Sequence, residues 1–241
     1  MPRYFIEVSY KGTGYSGFQV QQNANSVQAE LEKALAVFYK QKIELTGSSR
    51  TDAGVHARQN FFHFDTGIAI KDDAYNLNAI LPDDIVVKRI FKVADQAHCR
   101  FDAKSREYRY YIYQQKDPFM QGIAYYVPYT LDYALLEQAA QVIMEHTDFT
   151  SFSKRNTQVN NFRCTVYSCT WLQEAGCLVF KIKANRFLRG MVKGLVGTML
   201  LVGKKKISLA EFKTIIEARD CAKADFSVSP AGLFLQEVSF S

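Results

Sequence analysis

Proline and cysteine are both scarce in this chain of 241 residues, which has five of each. With so few prolines and no low-complexity stretch, the sequence offers no long flexible linker. Cys99, Cys164, Cys169, Cys177 and Cys221 form no C-x-x-C pair, and an odd number argues against a disulfide framework, so reduced, buried thiols are expected. Neither His98 beside Cys99 nor His56 with His63 has the spacing of a zinc-ligand set, so no metal is expected. No apolar run approaches the roughly 20 residues that span a bilayer. The opening MPRYFIEVSYKG lacks the charged, apolar and small-residue order of a secretion signal, which makes the cytoplasm the expected location.

Hydrophobic residues make up 48% of the chain, which excludes general disorder and is enough for a sizeable core in one large domain or two small ones. The formal charge is +6 and the pI about 9.0. An excess of Lys and Arg suits a polyanionic partner, because each phosphate they neutralise releases condensed counterions. Charge alone does not separate a nucleic-acid binder from other basic proteins.

Arg3 to Tyr10 alternates with the two-residue period of a strand, Tyr4, Ile6 and Val8 on one face and Phe5, Glu7 and Ser9 on the other. A glycine-rich loop, Lys11 to Gly17, leads to Val27, Leu31, Ala34, Leu35 and Phe38 at helical spacing, with Asn25 and Gln28 read as its capping pair. Further strands are expected at Gln59–Phe64, Ile85–Val93, Glu107–Tyr113, Cys164–Trp171, Leu178–Ile182 and Leu233–Phe240. Helices are expected around Leu135–Ile143, after the capping box Ser208-Leu-Ala-Glu211, and from Phe187 to Val202 as an apolar stripe. No internal repeat is visible. The order predicts an α+β fold of two mixed subdomains, residues 1–103 and 104–241, with mainly antiparallel sheet and helices on one face.

Gly47-Ser-Ser-Arg-Thr-Asp-Ala-Gly-Val-His-Ala57 is the most unusual segment: small residues gathered around one arginine and one aspartate, just before a strand. Arg50 and Asp52 are two apart and point the same way in an extended chain, while Gly47 and Gly54 permit backbone angles that other residues avoid. The residues alone leave two readings open, a ligand-approaching loop and a turn whose aspartate bonds nearby amides.

Ser49-Arg-Thr-Asp-Ala-Gly-Val-His-Ala57 resembles the signature loop of the TruA family of tRNA pseudouridine synthases. So, in order and spacing, do Tyr10-Lys-Gly-Thr-Gly-Tyr-Ser-Gly-Phe-Gln19, Asn78-Ala-Ile-Leu-Pro82, Arg100-Phe-Asp-Ala103 with Tyr108-Arg-Tyr110, Asp148-Phe-Thr-Ser-Phe152, Phe187-Leu-Arg-Gly-Met-Val192 and Gly232-Leu233. The resemblance implies a pseudouridine synthase fold with a catalytic cleft between its subdomains and Asp52 as catalytic carboxylate on a flipped-out uridine. Tyr108 would stack on the target base, Arg50 would hold the nucleotide and Leu233 would line the pocket wall. It further implies no cofactor, since substrate and product are isomers, a homodimer, and uridines 38, 39 and 40 of the tRNA anticodon arm as targets.

Two positions depart from that family. Lys193 stands where an arginine commonly pairs with the catalytic aspartate, and a lysine offers a point charge without the bidentate fork. Arg189, one turn earlier on the same expected helix face, is the competing partner, and Arg186, Arg189 and Lys193 also read as a solvated or phosphate-binding face. Ser48-Ser49 stands where a glycine commonly precedes the arginine. Tyr108 and Tyr110 alternatively read as core residues of one strand face, Tyr110 being assigned to the core. Lys204-Lys-Lys206 reads as an RNA phosphate contact or a solvated turn. The alternative function is a non-catalytic tRNA-binding or tRNA-folding protein on the same scaffold, which would not need Asp52, Arg50 and Tyr108 together. A carboxylate-dependent hydrolase would lack its second carboxylate.

Overall fold

The computed structural model describes residues 1–71, 73–155 and 159–241. Its elements in chain order are β1 (Arg3–Tyr10), α1 (Val27–Tyr39), β2 (Thr46–Gly47), β3 (His56–Asp65), α2 (Ala74–Asn78), β4 (Ile85–Val93), β5 (Ser105–Tyr113) and β6 (Tyr125–Tyr126). There follow α3 (Tyr133–Met144), β7 (Val166–Glu174), β8 (Cys177–Ala184), α4 (Met191–Gly203), α5 (Leu209–Glu217) and β9 (Leu233–Ser239). The fold is mixed α and β with mostly antiparallel sheet. It divides into two units, Met1–Lys104 with Phe234–Ser241, and Ser105–Leu233. The sequence division at 103/104 differs in its second part, because the C-terminal strand returns to the first unit and pairs parallel with β3, His56 opposite Phe234 and Ala57 opposite Leu235.

In the first unit β1 is flanked antiparallel by β3 and β4, and β2 adds to β3. Both faces of β1 are covered: Phe5 and Glu7 are buried as well as Tyr4, Ile6 and Val8. Phe5 joins an aromatic cluster with Phe61, Phe91 and Phe240, ring centroids 5.5 to 6.4 Å away. Glu7 is held by Arg89 Nε at 2.6 Å and Gln59 Nε2 at 3.0 Å, the pairing that a buried carboxylate requires. The cap of α1 is Ser26 rather than Asn25: its side chain accepts the Ala29 amide at 3.2 Å. Gln28 bonds Glu32 Oε1 and the Leu45 carbonyl instead, both at 2.8 Å, tying the helix to the residue just before β2.

In the second unit β8 lies between β5 and β7, antiparallel to both, and β6 pairs with β5. Asp132 caps α3, and Ser208 with Glu211 forms the expected capping box on α5. The expected helix from Phe187 begins only at Met191, because Gly190 at φ 76 turns the chain in the left-handed region before it. Eleven of its thirteen residues are buried, so α4 is a central helix covered all round rather than a one-sided stripe. Glycines admit its neighbours: a Cβ at Gly197 would lie 2.1 Å from the Asp225 carbonyl oxygen, and one at Gly194 would lie 2.8 Å from the Phe226 ring. No helix among the described residues is long and apolar enough to cross a membrane.

Candidate active site

The signature loop of the first unit is pinned residue by residue. Ser48 donates its amide to the Phe61 carbonyl at 2.8 Å and its hydroxyl to the Cys99 carbonyl at 2.7 Å. Asn60, fully buried on β3, clasps the next residue from both sides: its Oδ1 accepts the Ser49 amide at 3.3 Å and its Nδ2 donates to the Ser49 carbonyl at 2.8 Å. The same Nδ2 reaches the Tyr10 hydroxyl at 3.2 Å, which in turn shares a 2.7 Å hydrogen bond with Thr51 Oγ1. Burial alternates through the loop: Ser49 and Thr51 are buried, Arg50 exposed and Asp52 half-buried. A clasped backbone thus leaves Arg50 exposed and Asp52 partly accessible.

The glycine-rich loop after β1 supplies the other wall. Phe18 donates its amide to the Thr51 carbonyl at 3.1 Å and Gly54 its amide to the Tyr15 carbonyl at 3.3 Å. A Cβ on Gly12 would lie 2.0 Å from the Val55 carbonyl oxygen, so the two loops meet this closely only because Gly12 has no side chain. His56 is fully buried behind them, its Nδ1 accepting the Gly12 amide at 3.1 Å while its ring stacks on Phe234 at 4.4 Å. Ser49 Oγ is buried without a hydrogen-bond partner among the described residues, so only the backbone of this residue is used in the clasp.

His63, His98 and Cys99 bring three potential metal-ligand atoms within 4.8 Å of one another. Their hydrogen bonds do not suit a cation. His98 Nδ1 accepts the amides of Arg100 at 3.1 Å and Phe101 at 3.4 Å, which places the ring proton on Nε2. The Cys99 thiol donates to the Thr46 carbonyl at 3.2 Å and its sulfur lies 3.1 Å from His63 Nδ1. Burial first, then His98 and Arg3, push the His63 pKa down to about 4. The Nδ1 atoms of His63 and His98 and the Cys99 thiol are thus already engaged in hydrogen bonds, and His63 is held neutral by its burial.

In the second unit Tyr108 lies on β5 opposite Ile182, half-buried, with its ring edge-on to Phe187 at 4.9 Å. Tyr110 on the same face is fully buried and donates its hydroxyl to the Ser229 carbonyl at 2.6 Å, a core role. On the opposite face buried Glu107 is neutralised by Arg109 at 3.2 Å and Lys181 at 3.4 Å. Leu233 is buried at the start of β9. Lys193 sits half-buried in the first turn of α4. Arg189 does not share its helix face, for it lies in the turn before Gly190, exposed, its carbonyl accepting the Lys154 amide at 2.9 Å. Lys204 lies over the Tyr129 ring at 4.7 Å and Lys205 pairs with Asp132 at 3.1 Å, so two of the three clustered lysines already have intramolecular company.

Sequence reasoning missed Asn60, Tyr10 and His56 as supports of the loop. A buried asparagine in a strand is a weak signal until its partners are known.

A family profile described as tRNA pseudouridine synthase matches residues 6–102 and 139–241. Among similar proteins, one from Parabacteroides distasonis named tRNA pseudouridine synthase A is 42% identical, covering 100% of this chain and 96% of its own length. One of the same name from Porphyromonas gingivalis is 42% identical over 100% of this chain and 98% of its own. Another from Staphylococcus aureus is 35% identical over 98% and 90% respectively.

Proposed function

We propose, from the premise that this chain belongs to the tRNA pseudouridine synthase family, that it isomerises uridine to pseudouridine in tRNA with Asp52 as its catalytic carboxylate. The observation that supports the role of Asp52 is the clasped loop: Asn60 and Tyr10 hold the residues before it on both sides, and a group held in register needs no reorganisation at the moment of reaction. The uridine must lose its N1–C1′ bond, turn in the site and rejoin through C5. An ionised Asp52 serves attack at C1′, addition at C6 or elimination across C1′ and C2′, and each route returns the carboxylate unchanged. Because substrate and product are isomers, the reaction consumes no redox equivalent and needs no group carrier.

A uridine within a stem or stacked loop hides C1′, so the nucleotide is extruded. In this reading Tyr108 stacks on the base, Arg50 holds the flipped nucleotide through its guanidinium fork, and Leu233 belongs to the apolar wall. Lys193 stands in the first turn of α4, where the helix dipole adds to its positive potential, an environment that favours an anionic partner such as Asp52. Arg189, outside the helix, is the weaker candidate for that pairing and the better one for a phosphate. Uridines 38, 39 and 40 of the anticodon arm are the proposed targets, the homodimer the proposed form and the cytoplasm the proposed location.

The test is primer-extension mapping of pseudouridine on total tRNA incubated with the protein. New stops at positions 38 to 40 with the parent, absent with Asp52→Asn, are expected. Binding of tRNA by the variant should stay within about tenfold, roughly 1.4 kcal/mol, because one carboxylate is a small part of such an interface. Normal turnover by Asp52→Asn would end the assignment, and an inactive parent that still binds tRNA would favour the non-catalytic reading.

A further inference from the structure

Beside the signature loop the first unit holds a pocket of about 270 Å³ whose lining includes Phe18, Gln19, Arg50, His98, Arg100 and Phe101. Two of its lining residues, Gly47 and Phe18, pack this closely because Gly47 lacks a side chain: a Cβ there would sit 2.1 Å from the Phe18 ring. Its rim is Phe101, 73% exposed although it is a large apolar side chain. That exposure is built in. The Asp102 amide donates to the His98 carbonyl at 3.0 Å and Asp102 Oδ2 accepts the His98 amide at 2.7 Å, closing a short turn. The His98 ring, fixed by the amides of Arg100 and Phe101, props the Phe101 ring at 4.1 Å. The Arg100 guanidinium lies 5.7 Å from the centre of the same ring. No carboxylate is among the described residues that line the pocket.

An exposed aromatic ring propped from behind, two guanidiniums and a lining without carboxylates are what a stacked base with its phosphate requires. The volume accommodates on the order of one nucleotide. Arg50 belongs both to the loop of Asp52 and to this lining, so whatever binds here lies beside the target nucleotide. None of Arg100–Ala103 is given a role in the chemistry proposed above.

We propose that this pocket is a subsite for one unmodified nucleotide of the tRNA, a near neighbour of the target, with its base on Phe101 and its phosphate between Arg100 and Arg50. The proposal rests on the tRNA-isomerising reading above and deepens it: the enzyme would choose among adjacent uridines partly by the base it can seat here.

The probe is a set of tRNAs assembled from synthetic halves, each carrying a single abasic nucleotide near the target, bound by the parent, Phe101→Ala and Phe101→Tyr at one fixed salt concentration. Phe101→Ala is expected to weaken binding of intact tRNA at least about fivefold, and Phe101→Tyr, which keeps the ring, to bind as the parent does. At one abasic position the alanine penalty should vanish, since the stacking partner is already gone. Arg100→Gln should lower the slope of log affinity against log salt by about 1. Unchanged affinity of Phe101→Ala, or the same penalty at every abasic position, would overturn the subsite while a parent that still forms pseudouridine leaves the underlying reading intact. A parent that forms none removes that reading first.

Discussion

Replacing Asn60 by alanine tests whether the loop of Asp52 is held in register by the interactions seen. The amide makes 3.3 and 2.8 Å hydrogen bonds to the two backbone groups of Ser49 and one of 3.2 Å to the Tyr10 hydroxyl, all buried. Alanine leaves these partners facing an apolar methyl. At about 1 kcal/mol net for each bond lost, with orphaned buried groups costing more, the change should destabilise the first unit by about 3 kcal/mol. For a chain of this size that is on the order of 6 to 12 °C in melting temperature. The catalytic effect should be separate and larger. A displacement of about 1 Å at a reacting group costs about 100-fold in rate, so single-turnover pseudouridine formation at saturating tRNA should fall by that order, while the dissociation constant changes little. The control is Asn60→Asp. Its carboxylate keeps the acceptor for the Ser49 amide but turns an oxygen on the Ser49 carbonyl, a mismatch relieved by protonation. The folded pKa of this buried carboxyl should therefore lie above its unfolded value, and the variant should gain stability as pH falls and lose it as pH rises. If Asn60→Ala melts and turns over like the parent, the clasp has no part in placing Asp52.

Tyr108→Phe should keep nearly all tRNA affinity because the stacking face remains, whereas Tyr108→Leu should lose about 1 to 3 kcal/mol; parent-like behaviour of both in binding and rate would make Tyr108 a packing residue. If Lys193 pairs with Asp52, Lys193→Met should lower the single-turnover rate at saturating tRNA and Lys193→Arg should restore it; weaker binding with an intact saturated rate would instead mark a phosphate contact, and a greater rate loss in Arg189→Met would move the partner role there. Because Lys204 and Lys205 are already engaged by Tyr129 and Asp132, neutralising Lys204, Lys205 and Lys206 together should reduce the salt slope by about 1 rather than 3, and a drop near 3 would show that those contacts give way to RNA. Buried His63 is neutral when folded, with its pKa pushed down to about 4 from the usual 6.5, so the unfolded chain binds the extra proton between these values. Stability should be complete above about pH 6.5 and fall as the pH drops toward 4; a His63→Asn variant that shows the same fall would assign it to other groups.

The elements legible from sequence are those whose causes are local. β1 and β4 begin and end where alternation places them, since a two-residue period needs only the strand's own side chains. The box from Ser208 to Glu211 caps α5 because both partners lie within one turn. The signature loop around Arg50 and Asp52 and the order of motifs along the chain resemble those of the family to which the chain belongs. Tertiary structure decided what depends on partners far apart in the chain. The return of Phe234–Ser241 to the first unit is a strand pairing with β3, to which no local period points. Gly190 delays α4 to Met191 and takes Arg189 off the face of Lys193, because a left-handed residue is a backbone event that an apolar pattern cannot reveal. Asn60, Tyr10 and His56 support the loop through hydrogen bonds that span 11 to 50 residues of sequence, and Phe101 becomes a platform only when His98 closes the turn behind it. Short-range hydrogen bonding and side-chain periodicity are written in neighbouring residues, whereas the satisfaction of a buried polar group depends on which distant atoms the fold brings to it.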